Sequence, residues 1–327
     1  MDYRISDEQR AIADLAGDLF TGNGDTPPPW SVLEAAGLPQ LLVPEALGGV
    51  GLGQVDMALV LIEQGRGLVA TPLWRHAVAA LVLARAGRTP APGERLTVAV
   101  ESDASAERTG DRWTLRGTAR AVSGAGDAAK AVIVAQAGDR AGLFEIDLSD
   151  ADVARVDGIL TDGEAASDLI LTNAPAQLLD VDAGWLRARA AACLAALAVG
   201  VARGAVERTA AYVTARHQFD RPIGSFQAVA QRMADAFTDV EVAQTLAMEL
   251  AWRIDAGADL GNSVEVTTYW ANQCSHRVAH AAMHLHGGIG ADTSYPIHRV
   301  LLMSRALELM LGGSRQQIAR IGERLAA

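Results

Sequence analysis

Apolar positions recur at helical spacing from residue 6 onward. In SDEQRAIADLAGDLF, Ile12, Leu15 and Leu19 share one face. Ser6 opens this segment and Gln9 stands three positions on, the spacing of a reciprocal capping box. Pro27, Pro28 and Pro29 then break the helix. A second helix is expected from Trp30 to Ala36, stopped by Gly37. The run LPQLLVPEALGGVGLG after it reads as a turn-rich apolar loop. A third helix, Gln54 to Gly67, carries an apolar face and also ends on glycine.

The period changes near Arg95. LTVAVE, WTLRG, AKAVIVAQA and GLFEIDL are short alternating runs punctuated by Gly, Asp and Ser, so a small all-β domain is expected here. Helical periodicity returns at Asp182 and continues to the end in long alanine-rich stretches whose apolar stripes suit a helix bundle. The pattern therefore predicts an α+β chain in three parts: an N-terminal helical domain (1–95), a middle β domain (96–180) and a C-terminal four-helix bundle (181–327). No repeat or low-complexity linker separates them.

Composition narrows the partners. A formal charge of -11 and a pI near 5.1 disfavour nucleic acid and acidic membrane surfaces, which need a positive field. The longest apolar run, Ala190 to Ala202, is shorter than the roughly 20 residues that span a bilayer, and the charged start MDYRISDEQR has no signal-peptide core. Cys193 and Cys274 have no paired spacing, so neither a disulfide framework nor a cysteine metal site is expected. A cytoplasmic protein follows from these readings.

Two motifs point to chemistry. RHQFDRPIGSFQ (Arg216 to Gln227) combines a guanidinium fork with an aromatic and an amide, and HLHGGIG (His284 to Gly290) supplies glycines that let backbone approach a ligand. On spacing alone, Arg216 as a helix-end ion pair and Phe219 as core has the better claim; the joint occurrence of both motifs overturns that reading. His276, His280, His284 and His286 sit close in sequence, the first three at i, i+4, i+8, a spacing that could place imidazoles on one helical face for zinc. No acid or cysteine joins them in the motif, so no metal is expected.

These motifs, together with LEAAGLPQLLVPEALGGVGLG and WTLRGTARAVSGAGDAAKAVIVAQA, resemble the acyl-CoA dehydrogenase family over nearly the whole chain, in the same order of helices, sheet and bundle. The resemblance implies the acyl-CoA dehydrogenase fold and FAD as cofactor. It assigns Arg216, Phe219, Gln227, Gly287, Gly288 and Gly290 to gripping the dinucleotide across a subunit boundary, with Ser314 and Gln316 matching a family Thr and Gln. His284 stands where the family often has Gln.

The departures are as informative. The family's tail motif reads Tyr-Glu-Gly-Thr, and its Glu removes the substrate α-proton; here Leu311-Gly312-Gly313-Ser314 stands in its place, with Gly312 at the Glu position. The alternative family position for that Glu falls near Ala190, where Arg187, Ala188, Arg189 and Ala191 include no acid. In the β domain, the region VESDASAERTG lacks the family's ring-holding loop, and Ala121 falls at a Trp position, with Ser123 matching a Thr. The resemblance therefore implies a non-catalytic, FAD-gripping subunit like the small β-type subunit of heterotetrameric α2β2 steroid side-chain enzymes. Its partners would be a larger homologous subunit, an acyl-CoA substrate and an electron-transfer flavoprotein. Two alternatives stand beside it: a self-sufficient homomer using a displaced acid such as Glu308, and a flavin-free scaffold.

Overall fold

A computed structural model of the chain describes residues 5–21, 26–91 and 93–326, so the first four residues of the charged N-terminus lie outside the described residues. Helices α1 (Asp7–Thr21), α2 (Trp30–Ala35), α3 (Gln54–Arg66) and α4 (Leu73–Arg85) come first. Seven strands follow: β1 (Leu96–Ala99), β2 (Ser105–Thr109), β3 (Arg112–Ser123), β4 (Lys130–Ala137), β5 (Arg140–Asp147), β6 (Val153–Ile159) and β7 (Ala165–Leu179). The chain ends with α5 (Ala183–Ala215), a short hairpin of β8 (His217–Gln218) and β9 (Arg221–Pro222), then α6 (Gln227–Asp255), α7 (Ser263–His286), α8 (Ile297–Met310) and α9 (Gly313–Ala326). The fold class is the mixed helix-and-sheet class expected. The capping box at the first helix is formed: Ser6 N donates to Gln9 Oε1 at 3.1 Å and Gln9 N donates to Ser6 Oγ at 3.2 Å.

Packing groups the chain into two compact units, one of residues 1–28, 54–69 and 191–327, the other of residues 29–53 and 70–190. The N-terminal helices are thus divided, α1 and α3 going with the bundle and α2 and α4 with the sheet.

In the bundle unit, α3 and α5 cross with their backbones almost touching. A Cβ on Gly65 would overlap the carbonyl of Leu197, and one on Gly200 would overlap that of Ile62, so only glycine fits at either side of this crossing. Helix α5 is 33 residues long and apolar enough by length and composition to cross a membrane, more than the run Ala190 to Ala202 suggested. However, 83% of its most apolar stretch is buried inside the protein, which makes it a core helix.

In the sheet unit the strand order is β1-β4-β2-β3-β7-β5, and β5 also pairs with β4, which closes the sheet on itself. Leu115, Ile133, Phe144, Ile146, Leu169 and Leu171 fill its core. Three strands, β2, β6 and β7, lie outside the four runs expected from alternation. Only one residue of β6 is buried, so its pattern carries no inward face to read. Helix α4 packs on β1, where the buried ring of His76 accepts from Leu96 N at 3.1 Å. Burial, reinforced by the Arg95 charge, pushes that imidazole down to about 4 and keeps it neutral.

Candidate functional site: a strained hairpin and a glycine turn

Helix α5 ends at Ala215 and the chain reverses at once. His217 pairs with Pro222 and Gln218 with Arg221, leaving Phe219 and Asp220 as a two-residue loop. Both are left-handed, at φ 55° and 61°. Two-residue hairpins of this kind favour Asn-Gly, because non-glycine residues are costly at positive φ. This pair instead holds Phe219 out at 86% exposure, its ring edge-on to Phe226 at 6.2 Å. A strained backbone presenting a bare aromatic is a common mark of a ligand contact.

Charge surrounds that ring. Arg221 lies over Phe226 at 4.1 Å. Neither Arg221 nor Arg216 forms an ion pair among the described residues, and both are exposed. Arg216 is fixed through its backbone, its N–H donating to Tyr212 O at 2.8 Å and its carbonyl accepting from Ile223 N at 2.8 Å. Gln227 is exposed as the first residue of α6. Beneath the hairpin lies a cleft of about 310 Å³ with Val213, Pro222, Val229 and Met233 among its walls.

The glycine turn joins the same end of the bundle. Tyr212 Oη donates to His286 O at 3.4 Å, and the two rings stack at 4.3 Å. Gly287 leaves α7 at φ 64°, ψ -142°, and an added Cβ at Gly287 or Gly288 would meet nothing within 4 Å. The backbone is therefore uncrowded at both positions, while the Gly287 N–H donates to His284 O. Gly290 is buried, and a Cβ there would press on Met283 O at 3.1 Å. His286 is the residue that spacing missed. It is 3% exposed, packs between Tyr212 and Tyr295, and its Nδ1–H donates to Ala282 O at 2.8 Å. Burial lowers its pKa, so a neutral ring pins the glycine turn. Only its place between two tyrosines distinguishes it from exposed His284.

Ser314 and Gln316 lie elsewhere. Gln273 Nε2 donates to Ser314 Oγ at 3.0 Å, which places α9's start against the middle of α7, roughly 20 Å along that helix from His286 at about 1.5 Å per residue. Gln316 donates to Gly312 O at 3.0 Å and accepts from Arg320 at 3.3 Å. Within one chain these two side chains are separated from the hairpin, Ser314 bonded to α7 and Gln316 to its own turn. Gly312 itself sits at φ 79°, where a Cβ would collide with the Gln316 amide. Glu308 is held by Arg305 at 2.7 Å. Among the described residues no group of three or more His, Cys, Asp or Glu is arranged to hold a metal ion.

The acyl-CoA dehydrogenase FadE27 of Mycobacterium tuberculosis is 35% identical over 328 residues, covering 91% of this chain and 87% of that protein. The chain belongs to the acyl-CoA dehydrogenase family. FadE28 of the same organism is 29% identical and matches 99% of both chains, and the family model for the acyl-CoA dehydrogenase C-terminal domain matches residues 186–326. Among solved structures, the Tcur3481-Tcur3483 steroid ACAD G363A variant superposes with a TM-score of 0.92 at 33% identity, covering 99% of each chain. The ChsE4-ChsE5 complex from Mycobacterium tuberculosis gives 0.89 at 31%, covering 100% of this chain and 99% of that one. Acyl-CoA dehydrogenases are oxidoreductases acting on the CH–CH bond of acyl-CoA, and FAD is their usual cofactor.

In this acyl-CoA dehydrogenase the hairpin end of α5 carries exposed guanidinium groups without ion pairs and an exposed Gln227 amide, and the glycine turn leaves uncrowded backbone at Gly287 and Gly288. In the sheet, at the two positions where the resemblance expects a Trp and a Thr, Ala121 is left-handed at φ 51° and Ser123 is fully buried with its Oγ unpartnered.

Proposed function

We propose that this chain is the non-catalytic, FAD-gripping subunit of a cytoplasmic heteromeric acyl-CoA dehydrogenase, acting with a larger homologous subunit on the CoA thioester of a steroid side chain. The α8–α9 turn carries this reading. Dehydrogenation takes a proton from Cα while hydride leaves Cβ, so a carboxylate must face the substrate. Leu311, Gly312 and Gly313 provide none, and the turn is closed by Gln316 and by Gln317, whose Nε2 donates to Leu311 O at 2.7 Å.

FAD, when bound, supplies the hydride acceptor. Arg216 would hold its pyrophosphate, Phe219 would pack on an aromatic face, and the uncrowded backbone at Gly287 and Gly288 would let the dinucleotide approach closely. Ser314 and Gln316 lie apart from the hairpin and are engaged by Gln273 and by Gly312 and Arg320, so the hairpin and glycine turn carry this chain's grip on FAD. The partner holds the reactive carboxylate, and an electron-transfer flavoprotein takes the electrons. The steroid assignment rests on the similarity to the Tcur3481-Tcur3483 steroid ACAD. The reading of Glu308 as a displaced base has less support, because Arg305 already occupies its carboxylate.

Expression alone and with the larger homologue tests the proposal. A flavin-containing, active complex and an inactive lone chain support it. Full thioester oxidation by the lone chain overturns it in favour of the homomer, and a complex in which this chain adds no flavin contact overturns it in favour of a scaffold.

A further inference from the structure

Away from the hairpin, α7 and α8 enclose a pocket of about 210 Å³ into which His276, His280, Ser304, Arg305 and Glu308 all face. We propose that this pocket binds a tetrahedral oxyanion of the phosphate class, independently of the dinucleotide site.

Ser304 lines this pocket from α8. Several helical hydroxyls in this chain, Thr209, Thr214, Thr238, Thr245 and Thr268, bond back to the carbonyl four residues earlier at 2.6 to 2.9 Å. Ser304 does not; it is 4% exposed, and its Oγ has no partner. A buried hydroxyl left unmade costs stability, so its persistence beside a pocket favours a ligand that completes it.

The imidazoles repeat the pattern. His76, His217, His286 and His298 each bond a backbone atom through a ring nitrogen. His276 and His280 form no such bond, stand with ring centres 4.5 Å apart on successive turns, and turn into the pocket.

Glu308 decides the shape of the ligand. Its Oε2 accepts from Arg305 at 2.7 Å and lies 4.0 Å from His276 Nδ1. The Arg305 fork is therefore already engaged by a planar carboxylate, and the donors left over come from both helices and from the floor. Such a distribution suits a tetrahedral anion better than a second carboxylate. Glu308 opposes any anion, and Arg305 neutralises it only in part.

Calorimetric titration of the full chain with its co-expressed partner, in oxyanion-free buffer, tests the proposal with inorganic phosphate as probe. One saturable site per chain is expected, weakened about tenfold or more by Ser304→Ala and by His280→Gln, with folding checked by circular dichroism. Glu308→Gln should tighten binding, because it removes the opposing charge and releases the guanidinium. A parallel titration with adenosine 3′,5′-bisphosphate separates the sources: tighter binding of the nucleotide at the Ser304-dependent site assigns the phosphate to a nucleotide, and equal or weaker binding assigns it to free phosphate. Absence of saturation, or equal affinity in all variants, overturns the proposal. So does a site that binds Zn²⁺ instead and is lost in Glu308→Gln.

Discussion

The hairpin after α5 and the turn between α8 and α9 are built from similar residues, including glycine, glutamine and arginine, yet they dispose of their polar groups in opposite ways. At the hairpin, Arg216, Arg221 and Gln227 stay exposed, and Phe219 is pushed outward at a cost in backbone strain. At the α8–α9 turn, Gln316, Gln317 and Ser314 are all consumed internally. A region whose donors are unspent is available for a ligand. A region whose donors close its own backbone is a structural joint, whatever its sequence once served.

Writing the missing acid back into the joint is the strongest way to break this contrast. Gly312→Glu would force a side chain onto a left-handed backbone at φ 79° and into the Gln316 amide. Destabilisation of roughly 1–3 kcal/mol from strain, plus a steric term, is expected in denaturant unfolding, with no gain in thioester oxidation by dye reduction. A stable, active Gly312→Glu would mean that the turn is a dormant catalytic site and that the contrast is false.

The sheet unit holds a buried counterpart, where polar groups are unspent but inaccessible. Ser123 Oγ, Glu164 Oε1 and Arg75 Nε are all shut away without partners. Burial pushes the Glu164 carboxyl up to about 7, with the nearby Arg75 charge pulling the other way. Its folded pKa is above its unfolded value of 4.5, so the neutral form favours folding. That stability is fully present below pH 4.5 and is lost as pH rises through 7. The swing is on the order of 3 kcal/mol. Glu164→Gln should flatten the pH dependence of unfolding between pH 5 and 8; an unchanged slope would place the carboxylate in water.

Removing a donor from the open region has a smaller effect. Arg216→Ala in the assembled complex should weaken flavin retention about tenfold or more, the usual loss for a charge-assisted hydrogen bond, and flavin absorbance after gel filtration reads it directly. The same test on Gln316→Ala should leave flavin nearly unchanged if that amide serves only the turn.

Much of this contrast was legible in the residues and part was not. The capping box at Ser6 and Gln9, the glycine stops and the change of period at Arg95 depend on local rules, and the structure contains them. Helix α4 and strands β2, β6 and β7 were not read as separate elements. Helix α4 is buried on nearly every side and β6 on almost none, so neither shows the one-sided pattern that periodicity detects. At the candidate site, Arg216 and Phe219 stood out through their motif, but the fate of Gln316 did not. Whether an amide faces a ligand or its own turn depends on a backbone angle at Gly312 that no spacing records. His286 stands out in sequence only as one of four clustered histidines, because its role comes from Tyr212 and Tyr295, 74 residues before it and nine after.

The finest test concerns the strain at the hairpin tip. If Phe219 and Asp220 are left-handed only because the loop must present an aromatic ring, then replacing them with the pair that such a turn prefers should relieve the backbone and remove the contact together. Phe219→Asn with Asp220→Gly is expected to stabilise the free chain by about 1 kcal/mol, since the ring it deletes is 86% exposed and contributes little packing. Flavin affinity of the complex should fall in the same variant. Opposite signs for stability and flavin affinity would show that strain at this tip is retained for binding. If both quantities fall, the loop is needed for folding and Phe219 is part of the structure; if both rise, the hairpin makes no contact with flavin and the ligand-facing end of this bundle has to be sought elsewhere.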